Sequence, residues 1–84
     1  MMIKKLTAED IRYAKPITLQ RLTGIPAPSF FHWSAHRSLT DPSANKIAAK
    51  LGLSVEEVRR GFALRRADYF AAKEVELRLE EFAA

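Results

Sequence analysis

His32 and His36 stand four residues apart, the spacing that places two imidazoles on one side of a helix and that metal sites use for a ligand pair. A stable zinc site needs further ligands, and with no cysteine in the chain the only other sources are distant carboxylates, so no metal and no cofactor are expected. Ser29, His32 and His36 share one polar helix face that suits hydrogen bonding to base edges. Arg37 closes the same stretch, where it either docks a phosphate or complements the negative end of a helix dipole. A second basic set comes later: Arg59, Arg66 and Lys73 recur every seven residues and form a line that suits a phosphate backbone. No nucleophile with a partnered base, glycine-rich phosphate loop or paired carboxylates accompany them, so neither catalytic residues nor an enzyme is expected.

Charge is divided unevenly along the chain. Residues 1 to 66 carry twelve Lys and Arg against five acids, a net of +7, whereas residues 67 to 84 carry two against five, a net of −3. A basic body with an acidic tail points to an anionic partner for the body, nucleic acid being the commonest. Eighty-four residues give room for one small core. The 48% hydrophobic content is too high for a disordered tail, while 29% charged residues and no long apolar run exclude a membrane span. The start of the chain lacks the pattern of a secretory signal, and a cytoplasmic location is expected.

The elements that position these residues read as helices throughout. Thr7 and Asp10 resemble a capping box that opens a short first helix ended by Pro16, and the same proline suits the first turn of a second helix that Gly24 closes. A third helix is expected from Pro28 or Ser29 to about Arg37, with Phe30 and Trp33 sharing its buried face and Phe31 pointing elsewhere, towards another helix or a partner. Ser38 to Pro42 reads as a loop, because the residue before a proline is biased away from helical geometry. A fourth helix carries Ile47, Ala48 and Leu51 to a stop at Gly52. Ser54 and Glu57 form the strongest capping box and open a last helix in which Gly61 falls where an apolar core residue is expected.

Gly24 and Gly52 each separate two amphipathic helices, so two helix-turn-helix units are candidates. Leu19-Gln-Arg-Leu-Thr-Gly-Ile, then Phe30 to Trp33, then Lys46-Ile-Ala-Ala-Lys-Leu-Gly-Leu-Ser-Val-Glu-Glu-Val58 resemble the lambda-repressor-like helix-turn-helix family over roughly residues 7 to 60. The resemblance implies an all-α, compact five-helix DNA-binding domain whose third helix, near Ala27 to Arg37, enters the major groove. It departs from the family at Pro16, where many members have a phosphate-binding Gln, and in the apolar start Pro26-Ala-Pro-Ser of the third helix. The expected function is a duplex-DNA-binding transcriptional regulator of bacterial or phage type, with Ser29, His32, His36, Arg37, Lys46, Arg59 and Arg66 as DNA contacts. The alternative is a protein-interaction adaptor on the same scaffold without base readout. Which unit reads DNA stays open at this stage, since Ser54 to Arg66 is also a possible reading helix.

In the last helix Val55, Val58, Phe62 and Tyr69 share a stripe that should face the domain. Val75, Leu79 and Phe82 lie around the cylinder from it, spaced four then three as in a short helical seam. The expectation is a C-terminal helical extension, residues 67 to 84, that makes the protein a homodimer through these three residues. A bend near Gly61 or Asp68 that folds the tail back is the competing arrangement.

Overall fold

A computed structural model describes residues 5–35 and 38–83, which form five helices: α1 (Ala8–Tyr13), α2 (Pro16–Thr23), α3 (Ala27–Ala35), α4 (Asp41–Leu51) and α5 (Val55–Ala83). No strand occurs among the described residues, and none of the helices is long and apolar enough to cross a membrane. Short helices of six to eleven residues are marginal alone, and here α5, with 29 residues, is the post against which α1, α3 and α4 pack.

The core forms where their apolar sides meet. Ile11, Leu19, Phe30, Ile47 and Val58 are its largest fully buried side chains, one from each helix. Burial of such a side chain stabilises by about 1.5–3 kcal/mol. Phe30 stacks on Phe62 at 6.0 Å and meets the edge of Trp33 at 5.5 Å. This aromatic cluster ties α3 to α5, and Phe30 and Trp33 face the core as their spacing predicts.

Local signals set most boundaries. The Thr7 backbone N–H donates to Asp10 at 2.7 Å, and Gly24 and Gly52 end α2 and α4 at φ of 77° and 70°, a region that glycine enters without steric cost. Two helix starts and one cap differ from the sequence expectation. α3 begins at Ala27 rather than Pro28 or Ser29. α4 begins at Asp41, so Asp41 and Pro42 belong to its first turn and not to a loop. A proline there gives up an N–H that has no helical partner anyway, and an acidic residue is favoured at a helix N-terminus. The box at Ser54 is only half made: the Glu57 N–H donates to Ser54 Oγ at 3.1 Å, but the Glu57 carboxylate reaches the Ala8 N–H at 3.1 Å. Glu57 thereby caps α1 from another helix.

Gly61 explains how α1 sits. An added Cβ there would lie 2.6 Å from Ile11 Cβ and 3.0 Å from the Ala8 carbonyl oxygen, so the missing side chain is what lets the two helices touch. Rather than an apolar residue with a gap beside it, Gly61 is a buried contact point. α1 runs alongside α5 in the same direction, from Ala8 at Glu57 to Arg12 at Asp68. α5 continues as one helix through Gly61 and Asp68 to Ala83, and its residues from Phe70 on are exposed, so the tail is not folded back onto the domain.

Candidate nucleic-acid interface

The turn between α2 and α3 is locked by side chains as well as by Gly24. Thr23 Oγ1 donates to the Leu19 carbonyl at 2.7 Å and accepts from the Ile25 N–H at 3.2 Å, both buried. Gln20 Oε1 accepts from the Ala27 N–H at 2.7 Å, satisfying one of the donors that a helix N-terminus leaves open. These bonds fix the direction in which α3 leaves α2. A glutamine seven residues ahead of its partner has no periodic signature, and the sequence reading did not single it out.

α3 presents Ser29 and His32 beside the chain that leads into α4. Ser29, His32, Trp33, Ser38, Thr40 and Ser43 line one shallow depression of about 280 Å³. Thr40 Oγ1 donates to Ser43 Oγ at 3.0 Å across it. Lys46 is exposed on α4, three residues beyond Ser43 and so on the same helix side. Trp33 and Ser38 also line a neighbouring hollow of about 170 Å³, together with Leu39, Arg59, Phe62 and Arg66. The two sets of candidate DNA contacts, one from each candidate helix-turn-helix unit, therefore adjoin around a single connection. His36 and Arg37 lie outside the described residues, so of the two histidines spaced four apart only His32 is described. Among the described residues no three His, Asp or Glu side chains gather to hold a metal.

The arginines differ in what they are bound to. Arg59 donates to the Leu39 carbonyl at 2.9 Å and pairs with the Asp41 carboxylate, so it clamps the start of α4. The Arg66 guanidinium lies over the Phe70 ring, 5.7 Å from its centre. Arg65, half-buried, donates Nη1 to the Ile11 carbonyl at 2.8 Å and to the Ala14 carbonyl, and Nε to Ser34 Oγ at 3.1 Å. It caps the C-terminal end of α1, where a cation is favoured, and burial pushes its pKa down. Arg12 binds Asp68 through two bonds of 2.9 and 3.0 Å. That pairing holds the Asp68 carboxyl below the usual carboxylate range, and raises Arg12. Neither structural role, for Arg65 or for Arg12, was visible in local spacing, because each joins helices more than fifty positions apart.

Phe31, half-exposed, meets the edge of Tyr69 at 5.9 Å. It shares an open groove of about 330 Å³ with Arg12, Pro16, Arg65 and Tyr69. Val75, Leu79 and Phe82 are all exposed on the projecting part of α5, Phe82 by 90%. In comparisons with known proteins, no family model, no curated protein and no solved structure matches the chain.

Proposed function

We infer that the protein is a non-catalytic duplex-DNA-binding regulator built on a lambda-repressor-like helix-turn-helix scaffold, with α2 and α3 as the motif. The observation that carries this is the shallow depression in which Ser29 and His32 of α3 adjoin Ser38, Thr40 and Ser43 around Trp33, with the exposed Lys46 farther along α4. A helix held at a fixed angle by Gly24, Thr23 and Gln20, with hydroxyls and cations beside it, suits insertion in a major groove: α3 contacts base edges, while Thr40, Ser43 and Lys46 meet the flanking phosphates. Arg66 extends the cationic rim, and Arg59 supports it by holding the start of α4.

Fluorescence anisotropy on random duplex DNA over a salt series, followed by selection of preferred sites, tests this. Affinity should fall steeply with salt as condensed counterions are released. Lys46→Ala should weaken all sequences alike and reduce the salt slope by about one, whereas Ser29→Ala or His32→Ala should change the preferred site. Equal weakness on duplex DNA and on polyglutamate would instead favour an adaptor that binds protein. The half-exposed Phe31, beside the groove it shares with Tyr69, supports that second function.

A further inference from the structure

The α1-facing side of α5 is one seam with two fates. Gly61, Arg65 and Asp68 meet α1. Continuing from them at steps of four and three residues come Ala72, Val75, Leu79 and Phe82, which is the repeat that keeps a stripe on one side of a helix. α1 ends at Tyr13, itself exposed, and all four of these later residues are exposed. The projecting arm thus has the sequence of a paired helix and no partner within its own chain among the described residues.

We propose that the occupant is the arm of a second copy, lying antiparallel, with Ala72 opposite the other chain's Phe82 and Val75 opposite its Leu79. Two observations choose this arrangement. The seam is small at one end and large at the other, Ala72 against Phe82, so reversing one chain sets bulk against a gap. In a parallel pair Phe82 would meet Phe82 and Ala72 would meet Ala72. Shifting the antiparallel register by one repeat towards the body would place Asp68, already bound to Arg12, against Leu79. The second observation is charge. The arm is acidic and the body basic; the antiparallel pair brings each acidic end towards the other chain's body, while the parallel pair gathers both acidic ends together. The seam covers only about half the area per partner of a standard interface, which makes the dimer a reversible one of roughly micromolar strength.

The centre of such a pair falls at Leu77, and α3 contacts α5 between Phe62 and Tyr69. At 1.5 Å per residue the two α3 helices lie roughly 35 Å apart along the arm, close to one turn of DNA. That consequence rests on the DNA-binding function; the pairing itself does not.

The chain has no cysteine, so single-cysteine variants report the pairing cleanly, and they are read without DNA. Ala72→Cys and Phe82→Cys chains, mixed at high micromolar concentration in a mildly oxidising thiol buffer and separated by mass, should give the mixed disulfide in several-fold excess over either self-linked product. Leu77→Cys, which points away from the seam, should not link. Self-linked Phe82→Cys as the main product would overturn the antiparallel arrangement. Linking no greater than that of Leu77→Cys would overturn the pairing altogether. By sedimentation, wild type should be dimeric and Val75→Asp monomeric with unchanged helix content, and a Val75→Asp chain that stays dimeric would overturn the seam. Raising salt from about 0.05 to about 0.5 M should weaken the dimer several-fold, and tighter association at high salt would overturn the charge argument.

Discussion

α5 is one continuous helix whose two halves live in different surroundings. From Val55 to Tyr69 one side of it is packed against α1, α3 and α4, with Val58, Gly61 and Phe62 buried; from Phe70 to Ala83 it is exposed all round. The line from Gly61 through Asp68 to Phe82 runs through both halves, while the stripe of Val55, Val58, Phe62 and Tyr69 belongs to the first half alone. Along the shared line the halves differ in what lies beside them. A residue's contribution to stability is therefore decided by the neighbour that the chain brings to it, and an identical side chain can matter greatly at one end of a helix and not at all at the other.

The sharpest test of that comparison uses one residue type. Phe62 is 4% exposed and packs on Phe30 and Trp33, whereas Phe82 is 90% exposed. Phe62→Ala should cost about 3–5 kcal/mol in urea unfolding, and Phe82→Ala should leave the unfolding of the monomer within about 0.5 kcal/mol of wild type. Comparable losses at the two positions, measured at concentrations too low for association, would break the contrast.

Small residues sharpen it further. Gly61→Ala would drive a methyl group into Ile11 and the Ala8 carbonyl; overpacking of that kind costs about 1–3 kcal/mol, against a helix-propensity gain of about 1 kcal/mol. A net loss of up to about 2 kcal/mol should appear as a lower denaturation midpoint. Ala72→Gly, the reverse change on the exposed continuation of the same seam, should cost only the propensity of about 1 kcal/mol and should fray the arm without moving the body's transition.

The smallest effect marks where α1's cover reaches along the seam. Asp68 is held below its ordinary value of 3.8 by Arg12, so the stability it contributes is complete above that value and is lost as pH falls through the lowered one. Wild type should thus lose stability in acid slightly faster than Asp68→Asn. Arg12→Gln, which removes the partner, should make the acid limb shallower in the same way. An Asp68→Asn chain that keeps the wild-type acid limb would show that the Arg12 pairing does not set the acid response.

Much of the helix layout was legible because its causes are local. Gly24 and Gly52 mark helix ends since only glycine takes positive φ cheaply, and Phe30 with Trp33 shares a buried face because three residues make most of a turn. Asp41 and Pro42 were misread because the rule for a residue preceding proline competes with proline's suitability for a first turn, and here Arg59 favours the helix by binding Asp41. The candidate interface was legible as residue types, Ser29, His32 and Lys46, but not as a surface. Which of the two candidate helix-turn-helix units they belong to matters less because Ser38 borders both sets.

The sequence by itself determined the helices, the basic body, the acidic arm and the four-three repeat of Val75, Leu79 and Phe82, all of which follow from neighbours a few positions apart. Only the tertiary structure decided that Gly61 is a contact point, that Glu57 and Arg65 cap the two ends of α1, and that Arg12 binds Asp68. Each joins residues about fifty positions apart, and at that separation no periodicity links the partners. Their meeting depends on the collapse of the apolar faces of α1, α3 and α4 onto one helix, and the point at which α1 runs out leaves the rest of that helix bare.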